Sequence, residues 1–319
     1  MTDPFFQPIS GFELPRFAGV PSFMRLPCLP DEHPRRGEVE IGILGVPWDG
    51  GTTNRPGARH GPRALRDAST MIRAVNAATG VAPFERARVA DLGDIGPNPA
   101  DLADSLARIE RAYNALYVAG IRPLSAGGDH LVSLPILRGI AGGRAMGLFH
   151  VDAHTDLFDS YFGGFRYTHG TPFRRAIEEG LIDPKRTIQI GIRGTAYDLE
   201  DRHFAEEARV RVVTIEEFGE RGVASVVAEA REILGAEPVY TSFDIDALDP
   251  AFAPGTGTPE VGGLTSREAL SLLRGMRGID IVGADLVEVS PPFDPSGATA
   301  WLGVSIMFEL LCLMAEGTV

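Results

Sequence analysis

Short apolar runs, rich in valine and isoleucine, recur along the chain and are separated by mixed polar and apolar segments. Eight of these runs predict strands, near residues 39–45, 88–91, 121–125, 146–151, 187–191, 209–213, 238–243 and 279–287. Because the runs are almost continuously apolar, both faces of each strand are expected to be covered. Strands that alternate with helical segments favour a parallel sheet between two layers of helices.

Two of the helical segments are well defined in the sequence. Residues 100–119 repeat apolar side chains at helical spacing and stop at Gly120, a residue that commonly ends helices. Residues 298–315 form the longest apolar stretch, interrupted by Ser305 and Glu309. This stretch is too short and too polar to span a bilayer, so it predicts a buried C-terminal helix.

The composition divides the chain into two regions. Residues 1–38 are rich in proline and phenylalanine and show no lasting periodicity, so we expect an ordered arm that lies on the domain or on a neighbouring subunit. Residues 39–319 show no linker and are interpreted as a single catalytic domain.

Charge and cysteine content narrow the partners and the compartment. With 43 acidic and 30 basic residues the net charge is −13, which argues against nucleic acid or an anionic membrane as a partner. Cys28 and Cys312 give no disulfide framework, and the N-terminus lacks the features of a signal peptide. We therefore expect a cytoplasmic protein.

Acidic residues and histidines cluster directly after three of the predicted strands. The candidates are Asp152, His154 and Asp156 after residues 146–151, Asp244 and Asp246 after residues 238–243, and His130 after residues 121–125. If the chain stays extended, residues two apart share a face, so the candidates within each of the first two groups would point the same way. Asp129 would face away from His130 and is assigned a structural role.

These six residues have the composition of a binuclear metal site. Four aspartates and two neutral histidines balance the charge of two divalent ions, whereas unpaired carboxylates at this density would repel one another. Carboxylate and imidazole ligands without thiolate favour manganese over structural zinc, and nickel or cobalt would fit the same ligands. Two neighbouring ions can hold a hydroxide as a nucleophile at neutral pH, which indicates a hydrolase.

The order and spacing of the motifs resemble one family. Gly127-Gly-Asp-His130, Asp152-Ala-His-Thr-Asp156 and Ser242-Phe-Asp-Ile-Asp246, followed by Pro254-Gly-Thr-Gly-Thr-Pro259, are similar to the ureohydrolases, which include arginase, agmatinase and their guanidino-acid relatives. The resemblance implies a three-layer α/β/α arginase-like fold with a central eight-stranded parallel sheet. It also implies hydrolysis of a small guanidino compound to urea and an amine. The oligomer would be a homotrimer or homohexamer, and a hetero-oligomer with a related subunit is the alternative.

The resemblance also assigns roles to single residues. Two manganese ions per chain would share the six ligands, with His130, Asp152, Asp156 and Asp244 on one ion and Asp152, His154, Asp244 and Asp246 on the other. Asp156 would in addition accept a hydrogen bond from the attacking hydroxide. Glu288, after the strand 279–287, would pair with the substrate guanidinium. His169 would protonate the departing amine.

The substrate tail is expected to meet the loops 157–168 and 193–201. The tyrosine at position 161 is similar to the 3-guanidinopropionase branch, whereas the guanidinobutyrase branch tends to have methionine at this position. We therefore expect 3-guanidinopropionate, cleaved to β-alanine and urea, with guanidinobutyrate as one alternative. Agmatine is another, supported by the acidic charge and by Asp159 in the tail loop.

Phe158 departs from the pattern of the guanidino-acid hydrolases, which commonly have a small polar residue at this position. An aromatic side chain cannot donate to a carboxylate. It would suit the apolar or alkylated tail of a substituted guanidine or a biguanide such as dimethylbiguanide. Alternatively, Phe158 packs inward and has no contact with the substrate.

Two other classes of protein are weighed against a binuclear hydrolase. A mononuclear zinc deacetylase of the related fold would also use an Asp-x-His pair, but it would not require His130, Asp156 and Asp246 together. A non-catalytic partner subunit of a ureohydrolase oligomer is the second alternative, and the complete set of ligands argues against it.

Overall fold

The computed structural model describes residues 3–317, and eight strands form one sheet in this part of the chain. The strands are β1 (Ile41–Gly45), β2 (Val89–Asp94), β3 (Arg122–Ala126), β4 (Met146–Val151), β5 (Ile182–Ile192), β6 (Arg211–Thr214), β7 (Val239–Asp244) and β8 (Ile281–Val287). Their order across the sheet is β2-β1-β3-β8-β7-β4-β5-β6, and every neighbouring pair is parallel. The predicted eight-stranded parallel sheet is therefore confirmed.

The strand starts agree with the apolar runs except in β5. This strand begins at Ile182, not at residue 187. Met146 of β4 pairs with Ile182 while Leu148 pairs with Thr187, so the polar residues between them bulge out of the ladder. Between Ile182 and Thr187 the strand carries Asp, Pro, Lys and Arg, so no apolar pattern reveals its start.

Helices cover both faces of the sheet. They are α1 (Gly61–Ser69), α2 (Pro83–Arg86), α3 (Leu102–Val118), α4 (Ser133–Ile140), α5 (Pro172–Glu178), α6 (Glu200–Ala208), α7 (Ile215–Leu234), α8 (Ser266–Gly275) and α9 (Ala298–Glu316). One hydrophobic core joins the sheet to α1, α2, α7, α8 and α9, and a second joins it to α3, α4, α5 and α6. The three layers of the predicted α/β/α fold follow from these two cores.

Side chains of the central strands alternate between the two cores. In β4, Phe149 and Val151 lie in the core that contains α7, α8 and α9, whereas Met146 and Leu148 lie in the opposite core. A strand buried on both faces carries apolar residues at most positions. This burial explains the continuous apolar runs in the sequence.

The two ends of the described chain pack on the domain. In the N-terminal region Phe6 and Phe23 are buried, and the backbone amide of Phe23 donates to the Asp91 carboxylate of β2 at 2.8 Å. Phe12 and Phe17 of the same region are exposed. Within residues 3–317, α9 is the one helix long and apolar enough to cross a membrane, yet 78% of its apolar window is buried inside the protein. It is the predicted core helix.

The strand order places four carboxyl ends side by side. β3, β8, β7 and β4 are neighbours at the centre of the sheet, although they are far apart in sequence. In a parallel sheet, residues that follow adjacent strands meet along the same edge. The last residue of β7, Asp244, and the segments that follow these four strands provide all six candidate metal ligands and Glu288.

Candidate active site

The first cluster surrounds one ring nitrogen of His130. Nδ1 of this histidine lies 3.0 Å from Asp152 Oδ2, 2.9 Å from Asp156 Oδ2 and 3.1 Å from Asp244 Oδ2. All four side chains are buried, and among the described residues Nδ1 has no hydrogen-bond partner. An octahedral ion with bonds of about 2.1 Å separates neighbouring ligand atoms by about 3 Å. The spacing and the unpaired nitrogen fit a divalent cation.

The second cluster shares Asp152 with the first. His154 Nδ1 lies 3.1 Å from Asp246 Oδ2 and 3.5 Å from Asp152 Oδ1. Asp246 is held in place because its Oδ1 accepts from the Ala153 amide at 3.2 Å and its Oδ2 accepts from the Thr258 hydroxyl at 3.1 Å. The His154 side chain is 33% exposed, so this cluster opens towards solvent while the first is enclosed.

The prediction that these residues share a face of an extended strand is wrong. β4 ends at Val151, and Asp156 lies beyond it with a left-handed φ of 55°. Asp244 is the last residue of β7, and its Oδ1 caps the short helical turn that follows by accepting from the Asp246 amide at 2.8 Å. Strand ends have no further ladder partners, so the chain turns, and these turns bring the ligands together.

Burial and mutual repulsion shape the electrostatics of the clusters. Burial, followed by the nearby carboxylates of Asp246 and Asp152, raises the pKa of Asp244 well above its usual value. Burial alone would lower the pKa of His130, but the Asp156, Asp152 and Asp244 carboxylates outweigh burial and raise it. Carboxylates at this density need positive charge beside them, and divalent cations supply that charge.

Hydrogen bonds set the orientation of His130. Its Nε2 lies 2.8 Å from the Ser242 hydroxyl, which in turn donates to Asp285 Oδ1 at 2.6 Å. Because the single hydroxyl proton of Ser242 goes to the carboxylate, Ser242 accepts from Nε2–H of His130. Nδ1 then has a free lone pair directed at the first cluster. Sequence reasoning missed Ser242 and Asp285; the only signal was a buried aspartate within an apolar strand.

A second supporting group orients Asp152. His150 Nε2 lies 2.8 Å from Asp152 Oδ2, and His150 Nδ1 lies 3.0 Å from the side-chain nitrogen of Gln189. That nitrogen also donates to the Thr155 carbonyl at 2.6 Å, which fixes the amide orientation. Gln189 therefore donates to Nδ1 of His150, and His150 donates from Nε2 to the carboxylate that the two clusters share.

Glu288 and His169 form a pair beside the clusters. Glu288 follows β8 with a left-handed φ of 61°, and its Oε1 accepts from the His130 amide at 2.9 Å. The same oxygen lies 2.9 Å from His169 Nδ1. Burial acts to lower the pKa of His169, but the carboxylates of Glu288, Asp129 and Asp156 raise it to about 9. A buried carboxylate and a titratable imidazole thus lie next to the candidate metal ligands.

Tyr161 and Phe158 lie in the loop between β4 and α5. Their ring centroids are 5.6 Å apart, edge to face, and Tyr161 also approaches Tyr197 at 6.4 Å. A methyl group at Gly170 would meet the Tyr161 hydroxyl at 2.5 Å, so this hydroxyl lies next to the residue that follows His169. Phe158 is only partly buried. Tyr161 therefore lies close to the segment that carries His169, and Phe158 packs against Tyr161.

Asp159 and Asp129 have structural partners. Asp159 Oδ1 accepts from Arg175 at 3.0 Å, so its carboxylate already has a cationic partner. Asp129 is buried, and its Oδ2 accepts from the Gly51 amide at 2.6 Å. Asp129 thus fixes the loop between β1 and α1.

The protein has a parallel sheet between two helical layers, with two carboxylate–imidazole clusters at the ends of the central strands. This combination defines a binuclear-metal hydrolase. The arginase family model matches residues 39–313. The chain belongs to the arginase family. It is a metal-dependent amidinohydrolase of the ureohydrolase type.

Individual relatives agree with this family assignment. The chain is 59% identical over 310 residues to a guanidinopropionase of Pseudomonas aeruginosa, covering 97% of this chain and 96% of that protein. It is 47% identical to a guanidinobutyrase of the same organism, covering 97% and 96%. Among solved structures, proclavaminate amidino hydrolase from Streptomyces clavuligerus superimposes with a TM-score of 0.88 at 43% identity, covering 95% of this chain and 99% of that one.

Proposed function

We propose that this protein hydrolyses 3-guanidinopropionate to β-alanine and urea. The observation that carries the proposal is the Glu288–His169 pair, which lies beside two clusters of residues that could hold metal ions. The chain is also 59% identical to a guanidinopropionase. The pair has the two functions that guanidine hydrolysis needs besides the nucleophile. One group holds the guanidinium, and the other protonates the amine that leaves.

The six clustered residues would hold two manganese ions per chain, as the hard oxygen and imidazole donors favour. When bound, two such ions lower the pKa of water, supply a nucleophile at neutral pH and stabilise negative charge. Asp152, which belongs to both clusters, and Asp244 would each help to hold both ions. Asp156, whose Oδ2 faces Nδ1 of His130, would align the attacking oxygen through a hydrogen bond.

Glu288 would bind the guanidinium of the substrate. Its Oε1 is shared by the His130 amide and His169, while its Oε2 has no hydrogen-bond partner within the described residues. A planar guanidinium can donate two parallel hydrogen bonds to a carboxylate, so Oε2 would receive one and Oε1 would share the other. The buried position of Glu288 strengthens this pairing because little water competes.

Glu288→Gln is expected to lower kcat/KM by about 10²-fold, because the amide has no charge to pair with the guanidinium. Steady-state urea release measures the effect, with Glu220→Gln, an exposed glutamate on α7, as the matched control. Metal content should stay at the wild-type level. Full activity of Glu288→Gln on every guanidine tested would show that Glu288 does not bind the guanidinium.

The substrate tail would pass Tyr161 and Phe158. The support for 3-guanidinopropionate is the tyrosine at position 161 together with the high identity to a guanidinopropionase. The support for agmatine is weakened, because Asp159 pairs with Arg175 and has no free charge for an ammonium group. A substituted guanidine or dimethylbiguanide is the second candidate, because the Phe158 ring stacks edge to face with Tyr161 beside the site.

Substrate choice is testable by urea release from 3-guanidinopropionate, guanidinobutyrate, agmatine, arginine and dimethylbiguanide, with manganese and nickel in parallel. We expect the highest kcat/KM for 3-guanidinopropionate. A preference for dimethylbiguanide or agmatine would overturn this substrate and leave the reaction class intact. No urea from any of them at full metal loading would favour the non-catalytic partner subunit.

Phe158→Asn tests whether this side chain contacts the substrate tail. If Phe158 lines the tail pocket, the asparagine amide can donate to the substrate carboxylate, and kcat/KM for 3-guanidinopropionate should rise. Phe162→Asn, at an exposed aromatic residue of the same loop, is the control. Unchanged kinetics in Phe158→Asn would show that the ring packs without touching the substrate.

We further propose a cytoplasmic homo-oligomer, a trimer or hexamer. Support comes from apolar side chains of the N-terminal region that point to solvent in a single chain, since exposed apolar surface often marks an interface. Phe12, Phe17 and Val20 are each exposed by more than 90%. The cytoplasmic location is proposed from the cysteine content of the sequence, which has two cysteines, Cys28 exposed and Cys312 buried.

A further inference from the structure

Hydrogen bonds hold the loop between β1 and α1 against His169 and close part of the loop on itself. The backbone amide of His169 donates to the Gly51 carbonyl at 2.9 Å. The Gly51 amide donates to the buried carboxylate of Asp129 at 2.6 Å, and the Gly57 amide donates to that of Asp49 at 2.8 Å. Gly51 therefore ties the loop to His169 and to the segment after β3, and the bond between Gly57 and Asp49 closes the loop around Thr53.

Two groups of Thr53 meet the ring nitrogen of His169 that faces away from Glu288. The Thr53 hydroxyl lies 2.9 Å from Nε2, and the Thr53 backbone amide donates to the same nitrogen at 3.2 Å. The other nitrogen, Nδ1, lies 2.9 Å from Glu288 Oε1. The His169 residue is only 8% exposed, so water supplies few of its hydrogen bonds.

The two groups of Thr53 differ in what they can do for the two protonation states of His169. In the neutral state Nδ1–H donates to Glu288 and the lone pair of Nε2 can accept from both the amide and the hydroxyl. In the protonated state Nε2–H needs an acceptor. A backbone amide can only donate, whereas a hydroxyl can donate or accept. At Nε2, the Thr53 hydroxyl is thus the group that can satisfy both states.

We propose that Thr53 is a positioning residue for His169, whose hydroxyl reverses its hydrogen bond as the imidazole gains and loses a proton. The inference rests on the proposed function, in which His169 protonates the departing amine. Without the hydroxyl, Nε2–H would face only the Thr53 amide donor, so the protonated imidazole would lose stability. The acid form needed to protonate the amine would then be scarcer at alkaline pH.

The charges around His169 determine the direction of the expected change. Glu288 after β8, Asp129 after β3 and Asp156 after β4 all favour the protonated ring, and its pKa is raised to about 9. These carboxylates stay in place when the hydroxyl is removed. Loss of the acceptor at Nε2 should therefore lower the pKa of His169 and move the alkaline limb of the kcat profile to lower pH.

Thr53→Val removes the hydroxyl and keeps the size and the backbone amide. We expect kcat measured on the alkaline side of pH 9 to fall about tenfold, the effect of one buried hydrogen bond on the protonated imidazole, with KM and metal content unchanged. Thr53→Ser should restore kcat and the alkaline limb. Thr52→Val is the matched control, because the Thr52 hydroxyl lies 3.5 Å from Asp129 and does not touch His169.

A double substitution separates positioning from a general loss of structure. In a His169→Ala background, Thr53→Val should cost nothing more, because the group it serves is gone. A tenfold loss in both backgrounds would overturn the proposal. So would wild-type kcat and pH dependence in Thr53→Val.

The pKa of His169 gives a readout that does not depend on turnover. It can be followed by NMR in histidine-labelled protein loaded with diamagnetic zinc. Thr53→Val should lower this pKa, and Thr53→Ser and Thr52→Val should not. An unchanged pKa in Thr53→Val would overturn the proposal about Thr53. This test does not depend on turnover: if the wild type releases no urea, that result counts against the proposed function alone.

Discussion

Asp152→Asn is expected to lower the content of both metal ions and to reduce kcat by about 10³-fold or more. Asp152 belongs to both clusters, with Oδ2 3.0 Å from His130 Nδ1 and Oδ1 3.5 Å from His154 Nδ1. The amide removes one of the four negative charges that balance two divalent ions. It also places an NH₂ group where a ligand lone pair is needed.

Elemental analysis together with urea release measures this effect. Asp67→Asn, at an exposed aspartate on α1, is the control and should keep two ions and full activity. Asp244→Asn should resemble Asp152→Asn, whereas Asp246→Ala should lose mainly the ion beside His154. A wild-type protein with one zinc per chain would contradict the binuclear assignment of these residues, and two tightly held ions in Asp152→Asn would contradict the shared role of Asp152.

His169→Ala is expected to lower kcat by about 10²- to 10⁴-fold, the usual contribution of a general acid. The substrate's amine is a poor leaving group without a proton, and His169 is the buried imidazole that faces Glu288. Its contacts are with Glu288, Thr53 and Gly51, and none is a candidate metal ligand. Metal content should therefore stay at two ions per chain.

The pH dependence of kcat adds a second measurement. With a pKa raised to about 9, His169 keeps its proton through neutral pH and loses it as the pH rises through 9, so kcat should fall there. This alkaline limb should be absent in His169→Ala and retained in the control His203→Ala, an exposed histidine on α6. Wild-type kcat in His169→Ala would show that another group protonates the amine.

The fold was predictable because a strand that is buried on both faces leaves a mostly apolar run in the local sequence. Residues 146–151 are apolar at every position except His150, as expected of a central strand between two helical layers. The start of β5 was not predictable, because the residues after Ile182 are mostly charged and bulge away from β4. The order of the strands was also not predictable from the pattern, because an apolar run does not indicate which strand lies beside it in the sheet.

The candidate site, like the fold, was predictable only in part. The sequence by itself determined which side chains are available, because carboxylates and imidazoles directly after buried strands have few structural reasons to be there. It did not determine how they converge. Alternation along an extended strand would have put Asp152, His154 and Asp156 on one face, but the strand ends at Val151 and the chain turns. Chain direction after the last ladder hydrogen bond depends on local turns.

Only the tertiary structure decided which distant segments meet. Strand pairing brings β3, β8, β7 and β4 together, so that His130 meets Glu288 across 158 positions of sequence at 2.9 Å. The same packing places Thr53 on His169, 116 positions away, and Asp285 behind Ser242. No local pattern marks a threonine in a turn or a serine in a strand as the partner of a histidine. Such contacts form when strands that are distant in sequence pair and the loops pack at the ends of those strands.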